Sequence, residues 1–295
     1  MPLPPLAGPL AQAFSIGLKP LDPRRWVDVD GEIGVYLAEK SRLLAEHHGE
    51  VFAAEAGTEP AQQEVLERLV AHLLADHSGT YSREGEAIRI RPTGALVAFD
   101  GGRPALETAA LLVQEDLVLI RRGPEGWRLA AAALCFPSAW RLGDKFGRSM
   151  HDVHAPVPGF GAGTRPAELI TRMFDNLQPG AAMIRWNWSL FGDGALFHPE
   201  PSHAVPRFGA EGEKAVVRLE RQTITRLDTG DVLFTIRIYL EPVDALARQP
   251  EGREVAAALV HQLGGLTFEQ AEYKGLAAER ETLVRRLSWV GSPPP

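Results

Sequence analysis

Two runs of strand-forming residues, Val216 to Arg226 and Val232 to Leu240, flank the short connection Leu227-Asp-Thr-Gly-Asp231. β-branched and aromatic residues dominate both runs, and a brief Gly-bearing link between them suits an antiparallel hairpin. Further strands are predicted at 87–91, 117–120, 127–135 and 183–190. The flanks change period. Ile33, Tyr36, Leu37, Leu43 and Leu44 mark a helix over 32–48. Val65, Leu66, Leu69, Val70, Leu73 and Leu74 mark a clearer one, with Pro60 near its start. Helical periodicity returns over 252–263 and 268–287, and Ser138 is placed as the N-cap of a short helix. The segment 14–26, dense in Pro and Gly, is expected to be an ordered loop. Two long irregular loops, 151–164 and 191–213, are of the kind that carries function. Helices, then a mainly antiparallel sheet, then helices define an α+β chain, not an alternating one. The expected organisation is a flexible arm at 1–13, one domain over 14–290 and a flexible tail at 291–295.

The 295 residues carry a formal net charge of -7, with the Arg residues dispersed. Nucleic-acid binding needs a concentrated basic stripe, so no nucleic-acid partner is expected. The single cysteine, Cys135, excludes an internal disulfide and any iron–sulfur centre built on this chain alone. The start lacks the charged and apolar regions of a secretory signal, and no apolar run approaches the ~20 residues of a membrane span. A cytoplasmic protein without a membrane partner is the expectation.

Several motifs are weaker than they look. Gly159-Phe-Gly-Ala-Gly-Thr164 has the wrong glycine spacing for a dinucleotide loop and follows Pro156 and Pro158. His47-His48 reads as solvated surface, and Cys135 as a small core residue at a strand end. No G-x-S-x-G elbow and no H-E-x-x-H is present.

Three blocks remain. They are Leu134 to Pro158, containing His154-Ala-Pro-Val-Pro; Arg185-Trp-Asn-Trp-Ser-Leu190; and Arg218-Leu-Glu-Arg-Gln-Thr-Ile-Thr-Arg-Leu227 with Leu233 to Leu240. Together the chain resembles the haem-dependent oxidative N-demethylases, and Gly17-Leu-Lys-Pro-Leu21 with Trp26 is similar to that family's opening. The resemblance runs in order from about residue 14 to about residue 243. It implies a PAS-like haem-binding fold, haem b, dioxygen, and electrons from a separate reductase that alone handles flavin and NADPH. It also implies removal of a methyl group from a small secondary amine such as dimethylamine, giving a primary amine and formaldehyde.

A b-type haem iron needs an axial donor, for which neutral imidazole is the usual choice. His154 is the expected iron ligand, because it precedes a Pro-stiffened turn and matches the family's His-x-Pro-Val-Pro position. His151 is second, and His198 and His203 are weaker. The competing reading of His154 is a hydrogen-bonded loop histidine. Alternation puts Arg218, Glu220 and Gln222 on one strand face, either solvated or lining a cavity. Glu220 is assigned to an ammonium substrate and, with Arg237, to catalysis. Trp186, Trp188 and Tyr239 are assigned to an aromatic substrate wall, although core packing competes for the two tryptophans. Lys145, Arg148 and Arg221 are assigned to the haem propionates. The runner-up function is a PAS-like haem or small-ligand sensor without catalysis. The lack of an output domain or coiled-coil linker weighs against it. A binding module without haem is the third reading, and a homo-oligomer is left open.

Overall fold

The computed structural model describes residues 14, 16–161, 163–201 and 206–292. The expected arm, the last residues of the expected tail and His203 lie outside the described residues.

The hairpin forms as its sequence requires. Strands β9 (Val216–Arg226) and β10 (Val232–Pro242) pair antiparallel along their whole length, from Val232 opposite Arg226 to Pro242 opposite Val216. They lie inside a seven-stranded sheet of order β1-β8-β9-β10-β6-β7-β2. The other members are β1 (Lys19–Pro20), β2 (Phe52–Ala54), β6 (Asp116–Gly123), β7 (Gly126–Ala133) and β8 (Ala182–Phe191). Every pairing in it is antiparallel. A small second sheet holds β3 (Tyr81–Arg83), β4 (Ala87–Ile90) and β5 (Ala95–Ala98). With its flanking helices the chain is α+β.

The helices divide between the two faces of the large sheet. On one face, α3 (Glu59–Asp76) and α4 (Ala105–Ala110) share a core with Leu117, Leu119, Ala131, Ala133 and Leu233. Helices α8 (Val243–Leu246), α9 (Gly252–Gly265), α10 (Phe268–Tyr273) and α11 (Arg280–Gly291) cover Trp188, Leu190, Val217, Leu219 and Tyr239 on that face. On the other face, Val118, Ile120, Leu129, Ile224, Ile236 and Ile238 pack with residues of α5 (Leu142–Lys145), α6 (Met150–His154) and α7 (Arg165–Asn176). Helix α1 (Ile33–Glu46) reaches both sides, with Ile33 and Leu37 on one core and Tyr36, Leu43 and Leu44 on the other. The short α2 (His48–Val51) leads into β2.

Some local expectations fail for identifiable reasons. Ser138 caps no helix, because its hydroxyl accepts from Arg218 Nε at 2.9 Å and α5 starts only at Leu142. The periodic stretch 268–287 breaks at Lys274–Leu276, where Gly275 adopts φ 64°, a conformation glycine takes without a Cβ penalty. Helix α11 continues through Gly291, into the segment expected to be tail. Helix α7 lies directly after the expected loop; Thr164 caps it through Ala167 N, and Pro166 sits in its first turn.

Behind the sheet end, Lys40 is fully buried and donates to the Ala110 and Glu115 carbonyls. Asp116, also fully buried, accepts from the backbone amides of Cys135 at 2.8 Å and Phe136 at 2.9 Å. Burial pushes the Asp116 carboxyl up and the Lys40 ammonium down, and each partly offsets the other. Cys135 is buried, and desolvation raises its thiol to about 12, which fits the small core residue expected. Asp116→Ala leaves two buried amides without their acceptor and removes a buried negative charge that the Lys40 ammonium feels. It is expected to destabilise the protein by about 2–5 kcal/mol in denaturant unfolding; a loss under about 1 kcal/mol would show that the two amides do not depend on this carboxylate.

Candidate active site

The sheet face that carries α5, α6 and α7 encloses a cavity of about 690 Å³. That lies within the ~300–1,000 Å³ typical of cofactor and ligand sites. Its lining has two characters. The residues from β6, β7 and β10 are apolar: Val118, Ile120, Leu129, Phe234 and Ile236. Ile170, Met173 and Phe174 of α7 continue this lining, with Val153, Val157 and Phe160 around α6. The residues from β8 and β9 are mainly polar: Arg185, Asn187, Ser189, Glu220 and Gln222. Lys145, Arg148 and Lys274 add cations. An apolar half beside a charged half suits an amphiphilic guest.

His154 is the last residue of α6 and lines this cavity. Its Nδ1 lies 2.7 Å from the Met150 carbonyl oxygen. A carbonyl only accepts, so Nδ1 carries the proton and Nε2 keeps its lone pair. Desolvation is the largest influence on the ring and holds its pKa below the ordinary histidine value, with Lys145 and Arg185 nearby adding to the shift. Phe160 stacks on the ring at 6.4 Å between centroids. The result is an oriented, neutral imidazole with one nitrogen available.

Glu220 is buried on β9, opposite Asn187 on β8. Its Oε2 accepts from Gln222 Nε2 at 2.6 Å and Asn187 Nδ2 at 3.3 Å. Two lysines near it are shifted. Burial lowers Lys145 to about 8 and Lys274 to about 8, while the Glu220 charge works in the opposite direction on both. The Lys145 ammonium sits 4.0 Å from the Trp140 ring centroid, and Lys274 donates to the Trp188 carbonyl at 2.6 Å. Ser189 Oγ is buried and has no hydrogen-bond partner among the described residues. A buried hydroxyl without a partner costs stability unless a guest satisfies it.

Beside this site Arg218, fully buried, spends its guanidinium on Ser138 Oγ and on the carbonyls of Phe136, Pro137, Ala195 and Leu196. It pins two loops to the strand that carries Glu220. Ala139, between Ser138 and Trp140 in the cavity wall, has φ 63°, a conformation that costs a non-glycine residue roughly 1–2 kcal/mol.

The structure brings His154, Lys145, Arg148 and Glu220 together around one cavity. It does not bring Arg221, Arg237, Trp186, Trp188 or Tyr239 there. Side chains alternate along a strand, and these five point to the opposite face. Arg221 donates to the carbonyls of Trp26 and Arg25. Arg237 is fully buried, pairs with Asp30 at 2.7 Å, and lies over the rings of Tyr36 and Tyr239. Tyr239 donates to Asp28. Trp188 donates from Nε1 to Gln262 at 2.7 Å, and Trp186 packs 5.9 Å from Tyr239. These residues bolt the 25–30 segment and the C-terminal helices to the sheet. His151 does not line the cavity; His198 packs on Phe191 at 4.4 Å and pairs with Asp193 at 3.1 Å.

The residues missed are Arg185, Asn187, Ser189 and Lys274. The first three alternate with the two tryptophans of the Arg185-Trp-Asn-Trp-Ser block. Recognising the tryptophans as core would have turned their neighbours to the cavity. Lys274, distant in sequence, carried no such signal.

Linkage fixes a sign for Lys145. Between about pH 8 and its ordinary value of 10.5 the unfolded chain holds a proton that the folded chain has released. Stability therefore rises with pH across that window. Wild type is expected to gain on Lys145→Met as pH is raised from about 8 to about 10.5 in thermal unfolding. A constant difference would show that this amine is not desolvated.

A family model described as "haem-dependent oxidative N-demethylase, alpha subunit-like" matches residues 17–284. No curated protein matches the chain.

Proposed function

The chain belongs to the haem-dependent oxidative N-demethylase, alpha subunit-like family, and we propose that it is the haem-bearing subunit of an oxidoreductase that demethylates a small secondary amine. The observation that carries this reading is the oriented neutral His154 in a cavity that is apolar on one side and cationic on the other. Haem b matches that division, since its macrocycle is apolar and its propionates are anionic. The buried, unpartnered Ser189 hydroxyl also fits an occupied cavity.

In this reading His154 would hold the iron, with the Met150 carbonyl fixing the ring as an outer partner fixes metal-bound imidazoles. Lys145 and Arg148, on the cavity lining, would hold the haem propionate groups. Haem, when bound, supplies the oxidative chemistry with dioxygen. The chain's own residues do the rest. The apolar wall of Val118, Ile120, Phe234 and Ile236 keeps water from the reacting centre. Glu220 receives the ammonium, because a buried cation needs a nearby anion. Asn187 and Gln222 hold that carboxylate in place. The products are a primary amine and formaldehyde. Electrons come from a separate reductase, consistent with a family described as an alpha subunit. The cytoplasm is the proposed compartment; no helix among the described residues is long and apolar enough to cross a membrane.

Two tests follow. Glu220→Gln is expected to weaken amine binding by about 3–5 kcal/mol in a titration followed by the haem spectrum, with haem content unchanged. Equal binding by both proteins would remove Glu220 from the amine site. Anaerobic NADPH is expected to leave the haem ferric until a reductase is added. Rapid reduction without one would overturn the need for a partner.

A further inference from the structure

Among the cavity-lining charges that are at least half-buried, the cations Lys145, Arg185 and Lys274 outnumber the carboxylates. Glu220 is the buried carboxylate on its lining, whereas Asp144, Asp152 and Glu272 reach it from exposed positions. Facing Glu220 are Lys145, Arg185 and Lys274, each of which feels its charge. If Lys145 and Arg148 serve the propionates, Lys274 still has no carboxylate within salt-bridge distance among the described residues. Its contacts are the Trp188 carbonyl at 2.6 Å and the rings of Trp188 and Phe14 at 4.9 and 5.3 Å. A partly desolvated ammonium with no carboxylate in direct contact is costly even beside the Glu220 charge, and an anion supplied by a guest would relieve that cost. The unpartnered Ser189 hydroxyl follows directly after Trp188, whose carbonyl holds Lys274. Ser189 pairs in register with Arg218, and Asn187 with Glu220, so Ser189 and Glu220 are diagonal neighbours on adjacent strands. The backbones of such neighbours lie roughly 7–8 Å apart, so both side chains can reach one small zwitterion between them.

We propose that Lys274 and Ser189 form a carboxylate-binding subsite, and that the amine taken by this protein is an N-methyl amino acid, its ammonium on Glu220 and its carboxylate on Lys274. The carboxylate contact is independent of haem, while the fate of the methyl group rests on the demethylation reading above. Arg185 strengthens the subsite, because it adds positive potential beside Lys274. Lys274, lowered to about 8, is largely protonated at neutral pH and able to donate to the carboxylate.

The test is calorimetric titration of the purified full chain with N-methylglycine and with dimethylammonium chloride. Wild type is compared with Lys274→Met, Lys274→Arg and Ser189→Ala, and haem stoichiometry is read from the absorption spectrum of each. Wild type is expected to bind N-methylglycine at least about tenfold more tightly than dimethylammonium, the usual worth of a charge-assisted hydrogen bond. Lys274→Met should erase that preference, Lys274→Arg should keep most of it, and Ser189→Ala should reduce it while retaining haem. Dimethylammonium binding as tightly as N-methylglycine in wild type would overturn the proposal. So would an unchanged preference in Lys274→Met. Loss of haem from Lys274→Met, with wild-type haem content in Lys145→Met, would assign Lys274 to a propionate and also overturn it. A chain without haem that still binds N-methylglycine through Lys274 would support the subsite and refute the demethylation reading alone.

Discussion

The antiparallel pairing of β9 with β8 on one side and β10 on the other is the constraint on which the rest of the structure depends. It makes the two-residue alternation of three long strands coincide. Arg185, Asn187, Ser189, Glu220, Gln222, Phe234 and Ile236 then share the cavity face. Trp186, Trp188, Leu219, Arg221, Arg237 and Tyr239 share the other. A slip of one residue between β8 and β9 would put the tryptophans on the cavity face, and one between β9 and β10 would turn the Glu220 carboxylate to the core face beneath α9 and α11.

That arrangement buries an unusual number of polar groups on one strand. Arg218, Glu220, Arg221, Gln222 and Thr223 are all buried. Each is satisfied by a specific partner. Arg218 holds carbonyls of two loops, Arg221 holds those of Arg25 and Trp26, and Thr223 meets Thr235 at 2.6 Å across the hairpin. These contacts attach irregular segments to a regular scaffold, which is how a loop acquires the rigidity a binding site needs. The segment at Phe136–Trp140 illustrates it. Asp116 grips its start, Arg218 grips its middle, and the Ala139 amide donates to the His198 carbonyl at 2.8 Å. Ala139 keeps its left-handed backbone within those three restraints.

Much of this was legible in the sequence. The hairpin, both long N-terminal helices and the antiparallel core follow from periodicity and from the Leu227–Asp231 turn. His154, Glu220, Lys145 and Arg148 were expected near one site and line one cavity. The failures share a cause. Arg221, Arg237 and Tyr239 stand one residue out of phase with Glu220 or its cross-strand partner, and adjacency in sequence is not adjacency in space on a strand. Glu220 pairs with Ile238, so Arg237 and Tyr239 necessarily face away from it. Helix α7 is marked by Thr164, Pro166 and the Ile170, Met173, Phe174 spacing, but the glycine-rich run before it masks that signal. Lys274 reaches the cavity only through the tertiary docking of the C-terminal segment, which no local pattern encodes.

The central claim is that His154 presents one imidazole nitrogen to haem iron from a wall built by α6. It is tested most directly by chemical rescue. His154→Gly opens space at that position without adding a competing donor. The account predicts that this variant has a displaced or absent Soret band, and that free imidazole restores the wild-type spectrum and haem stoichiometry. A His154→Gly protein with the wild-type Soret band and full haem content in the absence of imidazole would contradict it.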